Sequence, residues 1–314
     1  MKYISTMREG MHISDVYLCK SKQIQLTKNG REYASLVLQD KTGTVDAKIW
    51  DLGNPGISHM EAKDYVAVEA DVTLFNGSIQ LNVRRIRPAD PGEYSPADYL
   101  PVSEKSIDGM YEELLLMISG VKDPWLNRLL ESFFREDPDF IQKFRFSSAA
   151  KTIHHSFVGG LLEHTLSVAK MAEFMCLQYP YLNRDLLITT ALLHDIGKTR
   201  EITAFPDNDY SDDGQLLGHI VMGAQMIHDK VREIEGFPPR LASEVEHCIL
   251  AHHGEFEFGS PKRPALAEAM ALNLADNADA KLEVMKELLA AAGDNKDWLG
   301  YNRFFESNIR KSGL

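Results

Sequence analysis

The chain has 314 residues, of which 44% are hydrophobic and 25% are charged, and its formal net charge is −12. This length predicts two domains, at least one of which can bury a large core. The negative charge excludes a protein that coats nucleic acid through bulk electrostatics, because such binding needs many lysines and arginines at the phosphates.

The acidic excess is unevenly distributed along the chain. Residues 1–100 hold 12 basic and 13 acidic side chains, whereas residues 101–314 hold 22 basic and 33 acidic ones. The first part is therefore nearly neutral and can still carry a local nucleic-acid-binding face. The second part is where solvated helix faces and carboxylate metal ligands are expected.

Cysteine usage and hydropathy bear on the compartment. Cys19, Cys176 and Cys248 are odd in number, far apart and in no C-x-x-C pair, so neither a disulfide framework nor a zinc ribbon is indicated. The N-terminus shows no apolar leader, and no segment approaches the roughly 20 apolar residues of a membrane span. We expect a cytoplasmic protein with no membrane partner.

Residues 1–88 show the short, alternating pattern of an all-β barrel, with turn signals between the runs. Five strands with one longer connection at residues 51–63 fit a small closed barrel of the OB type. The strand candidates are Val16–Cys19 continuing to Ile24–Leu26, Tyr33–Leu38, Val45–Trp50, Tyr65–Val72 and Ile79–Val83.

Residues 12–88 resemble the nucleic-acid-binding OB-fold family found in tRNA synthetases and replication proteins. The motif L-x-L-x-D-x-T-G-x-V-x-A-x-x-W runs from Leu36 to Trp50, while Ala70 replaces the glycine usual in the fourth strand. The resemblance implies a ligand face on which aromatic rings stack bases at about 1–3 kcal/mol each and basic groups follow the backbone. This face would comprise Lys28, Arg31, Tyr33, Lys48, Trp50 and Phe75. The alternative is that Tyr33 and Trp50 are barrel core or rim residues without a ligand.

Residues 89–103 hold three prolines and a glycine and are predicted to be a linker. From Ser106 onward the apolar period becomes helical, and the pairs Asp123-Pro124 and Asp137-Pro138 indicate helix starts with a capping aspartate and proline at N1. Residues 104–314 are therefore predicted to form an all-α domain. The fold class is α+β multidomain, with a β-barrel followed by a helical bundle.

Histidines and aspartates recur at the ends and near the starts of the predicted helices of this second domain. Nine of the eleven histidines follow residue 101. Imidazole and carboxylate together suit Mn²⁺, Co²⁺, Fe²⁺, Ni²⁺ or Zn²⁺, whereas the lack of thiolates disfavours a structural zinc site. One such histidine alone is more often solvated or hydrogen-bonded than a ligand, but their joint order on successive helices favours a metal centre. The candidates are His164, the pair His194-Asp195, His219, the pair His252-His253, and Asp276.

Residues 145–295 resemble the HD-domain phosphohydrolase superfamily, whose signature is H…HD…D on a helical bundle. The resemblance implies four metal ligands, His164, His194, Asp195 and Asp276, and a second ion held by His219 with His252 or His253. Lys198 matches the HD-x-G-K lysine and would contact the substrate phosphate; it shares a face with His194 only if that helix, predicted from Asp185 to about Gly197, continues. His194, Asp195 and Lys198 are the catalytic candidates. His155 is a candidate substrate contact, and Asp279 would either orient a ligand histidine or contact solvent.

The whole chain resembles the YhaM family of bacterial 3′-to-5′ exoribonucleases. The matching motifs span His154–Thr165, His194–Lys198, Gly214–His219 and Ala275–Lys281, whereas the family's usual His or Tyr near Asn273 is absent. The resemblance implies removal of nucleoside monophosphates from the 3′ end of single-stranded RNA, or also single-stranded DNA, supported by one or two ions of Mn²⁺ or Co²⁺. The alternatives are a phosphodiesterase or nucleotidase acting on a free nucleotide, and a nucleic-acid-binding protein with a structural metal site. The sequence does not decide whether the protein forms a homo-oligomer.

Overall fold

The fold is described from a computed structural model. It describes residues 1–27, 29–95, 98–100, 102–151, 155–293, 295 and 297–313, so Lys28 of the predicted ligand face lies outside the described residues. The chain divides into two compact units. One comprises Met1–Val102 with Phe205–Asp207, and the other comprises Ser103–Ala204 with Asn208–Leu314.

The first unit contains the predicted five-stranded closed barrel, with strand order β1-β2-β3-β5-β4. This order, with β3 and β5 parallel and the other pairs antiparallel, is that of an OB-fold barrel. One long first strand pairs with both β2 and β4, and its register shifts between Cys19 and Ser21. The strands are β1 His12–Leu26, β2 Glu32–Asp40, β3 Gly43–Ile49, β4 Tyr65–Phe75 and β5 Ser78–Pro88.

Strict alternation along β2 and β3 separates the barrel's core from its outer face. Ala34, Leu36 and Leu38 are fully buried, and their neighbours Tyr33 and Ser35 point to the other side because successive strand residues face opposite ways. The barrel core therefore fixes which side chains of these two strands remain available outside.

The second unit is built around nine helices in its described part. The two predicted proline starts are confirmed, since the carboxylates of Asp123 and Asp137 accept from free N–H groups of the first turns that follow. The helices are α1 Ile107–Ser119, α2 Pro124–Phe134, α3 Pro138–Phe146, α4 Gly160–Gln178, α5 Arg184–Leu193, α6 Lys198–Glu201, α7 Asp212–Glu233, α8 Pro239–Ala251 and α9 Ala267–Ala291.

The helix that was predicted to run to about Gly197 ends earlier, at Leu193. Residues 194–197 form a turn, and Lys198 opens the short helix α6. A side chain at Gly197 would meet the backbone of α7, since its Cβ would lie 2.0 Å from the carbonyl oxygen of His219. The chain therefore turns where a glycine permits this close approach. The condition for Lys198 to share a helical face with His194, a helix that continues past Gly197, is not met.

The predicted all-α character of the second unit is incomplete. Two antiparallel strands, β6 Trp298–Asn302 and β7 Ser307–Arg310, form a hairpin after α9. Within the described ranges, no helix combines the length and the apolar character that crossing a membrane requires.

Candidate metal centre

Five segments of the helical unit bring the predicted metal ligands together. His164 lies on α4, the pair His194-Asp195 in the turn after α5, His219 on α7, and Asp276 on α9, with His252 ending α8. His194 and His252 have no exposed surface. Polar groups this deeply buried are costly unless they bind a partner, so their burial already indicates a bound species or a hydrogen-bond network.

One half of the centre lies around the Oδ2 atom of Asp195. This atom is 3.4 Å from the Nε2 atoms of both His164 and His194. The Oδ1 atom of Asp276 lies 3.2 Å from His164 Nε2 and 3.9 Å from His194 Nε2. His164, His194 and Asp276 therefore offer candidate ligand atoms within 4.8 Å of one another.

The other half lies around the second carboxylate oxygen of the same residue. Asp195 Oδ1 is 3.5 Å from His219 Nε2 and 3.8 Å from His252 Nε2. His219, His252 and His253 offer ligand atoms within 4.8 Å of one another. Both members of the His252-His253 pair therefore converge here, and Asp195 lies between the two halves of the centre.

The Nδ1 atom of each of the five candidate ligand histidines lies within hydrogen-bond distance of an oxygen acceptor. In each case Nδ1 has the oxygen partner and is therefore assigned the proton, which leaves the Nε2 lone pair directed into the centre. This arrangement fixes the tautomer and orientation that metal ligation requires. The pairs are His164 with Asp279 at 2.7 Å, His194 with Ala191 O at 2.8 Å, His219 with Glu201 at 3.0 Å, His252 with Ile249 O at 2.7 Å and His253 with Phe258 O at 2.7 Å.

These residues fit divalent metal ions. Among the described side chains, Asp195 Oδ1, His219 Nε2 and His252 Nε2 are buried atoms without a hydrogen-bond partner, and all three converge. In the other half, the Nε2 atoms of His164 and His194 lie 3.2 Å apart. The nitrogen and carboxylate donor set suits first-row divalent ions.

Local electrostatics favour the metal-binding protonation states of His252 and Asp195. Burial and the neighbouring rings of His253 and His194 hold the pKa of His252 well below its usual range, so this imidazole stays neutral. Burial opposes ionisation of Asp195, but Lys198 and His194 outweigh it and hold the pKa of its carboxyl well below the ordinary value. Neutral imidazole and ionised carboxylate are the forms that bind metals.

Lys198 reaches the centre from the first position of α6. Its Nζ lies 2.7 Å from Asp195 Oδ2, and its side chain is largely buried. Burial disfavours its charge, yet Asp195 outweighs this and raises the pKa of the ammonium group above its usual range. The ammonium group of Lys198 is therefore a fixed cation in the centre, although Lys198 lies on α6 and not on a continuation of α5.

His155, the candidate substrate contact, lies next to Asp279 in the structure. It is buried, and its Nε2 is 3.2 Å from Asp279 Oδ2, the same oxygen that faces His164 Nδ1. Asp279 also accepts a hydrogen bond from Ser167. His155 therefore contacts the carboxylate behind the ligand candidate His164, and Asp279 occupies the orienting position proposed for it rather than solvent.

Sequence reasoning missed Glu201, the counterpart of Asp279 in the other half. Its Oε1 accepts from the backbone N–H of His219 at 2.9 Å and lies 3.0 Å from His219 Nδ1. The double contact coincides with a kink in α7 at Gly218, whose φ of 74° favours glycine. The available signals were Glu201, which follows the His194-Asp195 motif along the chain, and Gly218, which directly precedes His219.

The barrel unit brings part of the predicted ligand face together. Tyr33 and Trp50 stack with ring centroids 4.9 Å apart, and Trp50 Nε1 donates to Asn82 Oδ1 at 3.1 Å. Lys48 is on the same outer face, paired in register with Ser35 and Asn82. These rings are therefore outside the core, and Asn82 is a member that sequence reasoning did not identify.

Two further predicted residues of this face lie at strand ends and not in the stack. Arg31 is exposed directly before β2, and Phe75 is the exposed last residue of β4, beside the Asn76-Gly77 turn. A bound nucleic acid would reach Arg31 and Phe75 only where it extends past the stacked rings of Tyr33 and Trp50.

An OB barrel joined to a helical unit with histidines and aspartates around one shared carboxylate defines a metal-dependent phosphohydrolase of the HD class. The family model described as HD domain matches residues 161–281. The chain is 35% identical to the "3'-5' exoribonuclease YhaM" of Geobacillus sp. (strain WCH70), covering 88% of this chain and 84% of that protein.

Relatives of the same name match at similar levels in other bacilli. The Bacillus velezensis protein is 33% identical, with 89% of this chain and 88% of that protein covered. The Shouchella clausii protein is 32% identical, with 92% and 89% covered. The chain belongs to the YhaM family of 3′-to-5′ exoribonucleases.

Proposed function

We propose that this protein is a metal-dependent 3′-to-5′ exoribonuclease that releases nucleoside monophosphates from single-stranded RNA. The observation that carries the proposal is the convergence of unpartnered Nε2 and carboxylate atoms around Asp195. We further propose Mn²⁺ or Co²⁺ as the supporting ion, and single-stranded DNA as a second substrate.

The ligands of the proposed ions divide into two sets with Asp195 common to both. His164, His194 and Asp276 would hold one ion, and His219, His252 and His253 the other. Bound divalent ions supply a water of lowered pKa as nucleophile and neutralise charge on the phosphate. Asp279 and Glu201 keep His164 and His219 oriented for this role.

The hydrolysis breaks the bond between phosphorus and the 3′ oxygen of the penultimate nucleotide. The water oxygen adds to phosphorus, the terminal nucleotide leaves as a 5′-monophosphate, and the 3′ oxygen takes up a proton from the water and becomes the hydroxyl of the shortened strand. Lys198, a fixed cation 2.7 Å from Asp195, would stabilise the negative charge that develops on the phosphate oxygens.

The barrel face would hold the strand that the helical unit shortens. The Tyr33 and Trp50 rings offer stacking surfaces for bases of any sequence, and Lys48 and Arg31 offer charges to the backbone. Such sequence-tolerant stacking suits an enzyme that shortens strands of varied sequence.

The test is a 5′-labelled single-stranded RNA and its DNA counterpart, each incubated with the full-length protein and a panel of Mn²⁺, Co²⁺ and Mg²⁺. A ladder shortening from the 3′ end with release of 5′-monophosphates supports the proposal. Turnover of a free nucleotide without strand shortening would indicate a nucleotidase. Strand binding without hydrolysis under every ion would indicate a structural metal site and defeat the proposal.

A further inference from the structure

A short 3-10 turn, Phe256–Phe258, follows the outermost histidine of the metal centre. His253 Nδ1 lies 2.7 Å from the carbonyl oxygen of Phe258, so the turn is tied to the ring of this ligand candidate. The segment before it is also fixed, since Asn273 Nδ2 donates to the carbonyl oxygen of His252 at 2.7 Å. The position of the turn is therefore coupled to the position of the centre.

Both aromatic rings of this turn are exposed, Phe256 by 61% and Phe258 by 64%. Single exposed apolar side chains need no explanation, but two exposed phenylalanines in one three-residue turn beside the candidate metal centre are candidates for contact with a ligand. The Arg263 guanidinium lies 5.1 Å from the ring centroid of Phe256, within cation–π range. The turn thus presents two rings and a delocalised cation, the groups on which nucleobases stack.

The turn also lies on the open side of the centre. His194 and His252 are completely buried, whereas the side chain of His219 keeps 13% of its surface exposed. The rings of His219 and His253 are 5.2 Å apart, so His253 belongs to this accessible side. Three residues of chain span at most about 11 Å, which keeps Phe256 close to His253.

We propose that Phe256, Phe258 and Arg263 form the subsite that holds the 3′-terminal nucleoside while its phosphate is at the metal centre. The inference rests on the proposed exonuclease function and specifies where that substrate's last base is bound. The rings offer faces on which the base stacks, and the guanidinium of Arg263, which lies over Phe256 and pairs with Glu255 at 2.7 Å, offers a further planar group. A purine, with its larger stacking surface, is held more tightly than a pyrimidine at this position.

The test compares Phe256→Ala and Phe258→Ala with Phe174→Ala, a matched control whose ring is 61% exposed on α4. Each turn variant is expected to raise KM for RNA by about tenfold to a hundredfold, with kcat and metal content nearly unchanged, because stacking of one base is lost. Phe174→Ala should leave KM unchanged. On a strand with an abasic 3′ end, the wild type should already show the raised KM, and the turn variants should add nothing.

The outcomes separate this inference from the proposed function. A wild-type protein that shortens no strand overturns both. Shortening with an unchanged KM in the two turn variants overturns only the subsite, as does an equal loss on normal and abasic ends. A change in oligomeric state in light scattering with an unchanged KM would assign the rings to a contact between copies of the chain and would also overturn it.

Discussion

The barrel face and the metal centre are built on opposite physical principles. In the centre, the groups around Asp195 are buried and each histidine is held through Nδ1 by a specific oxygen. On the barrel face, Trp50 is 51% exposed and has one stacking neighbour and one hydrogen bond. The centre is a coupled network, whereas the face is a set of nearly independent contacts.

This difference has an energetic consequence. Removal of one partner from a buried polar network leaves the other without compensation, and the effects of such changes are not additive. Removal of an exposed ring costs only its own contact with the ligand. Substitutions should therefore have large effects on chemistry in the centre and moderate, separable effects on strand affinity at the barrel.

The largest effect is expected for Asp195→Asn, which removes the charge shared by both halves of the centre. We expect kcat on RNA to fall by about a thousandfold, because metal-dependent charge stabilisation is worth several kcal/mol and each 1.4 kcal/mol is tenfold in rate. Asp229→Asn, at an exposed position of α7, is the control and should be neutral. Single-turnover strand shortening measures both, and a variant that keeps a tenth of the wild-type rate would contradict the shared role.

A smaller effect is expected when the carboxylate behind a ligand histidine loses its charge. Asp279→Asn and Glu201→Gln should each lower metal affinity by about ten- to a hundredfold, the usual cost of losing such a partner. Competition with a chelator measures this affinity. Glu246→Gln is the matched control, since Glu246 pairs with the exposed His228 at 2.9 Å and should have no effect. Equal results for all three variants would show that neither carboxylate orients a ligand.

Gly197→Ala tests the close contact that places His219. The added methyl group would lie 2.0 Å from the His219 carbonyl oxygen, and overpacking of this kind costs about 1–3 kcal/mol of stability. Gly109→Ala on α1, where the nearest atom is 3.5 Å away, should leave stability unchanged or raise it slightly. Thermal unfolding of the two variants measures the difference, and similar melting temperatures would argue against a required close approach.

Local patterns predicted most of the fold. Alternation gave the five strands, and the aspartate-proline pairs gave the starts of α2 and α3, because alternation and capping are decided within a few residues. The end of α5 at Leu193 depends on the close approach of α7 to Gly197. Because α7 lies later in the chain, this contact leaves no signal in the sequence around α5. The β6–β7 hairpin was also missed, since the helical period of the region before it was extended to the chain's end.

The candidate site also combines features that local sequence predicts with features that depend on distant contacts. The spacing of histidines and aspartates indicated the ligand candidates, whereas the oxygens that hold their Nδ1 atoms come from distant elements or from the backbone. Asn82 was not identified because its contact with Trp50 depends on the parallel register of β3 with β5. The contact of His155 with Asp279 joins residues 124 positions apart and could not be predicted from local spacing.

On the barrel, Trp50→Ala should weaken RNA binding and leave kcat unchanged. Loss of one stacked base costs about 1–3 kcal/mol, which corresponds to about a 5- to 150-fold rise in Kd. Trp298→Ala, at a ring of similar exposure in the C-terminal hairpin, is the control. Fluorescence anisotropy with a labelled single strand measures both. An unchanged Kd in Trp50→Ala would show that the Tyr33–Trp50 stack is a rim feature without a ligand.

The smallest effect concerns thiols that report on each unit separately. Burial raises the pKa of Cys19 in the barrel to about 11 and that of Cys248 in the helical core to about 12, whereas an unfolded thiol ionises near 8.5. As pH rises from about 8 to 10, the unfolded chain loses protons that the folded chain keeps, so each unit becomes less stable.

Iodoacetamide should therefore label Cys19 and Cys248 only as their own unit opens, with the partly exposed Cys176 labelled first. Mass spectrometry of the labelled peptides would compare the opening of the two units directly, and labelling of all three cysteines at one rate would show that these cores do not protect their thiols.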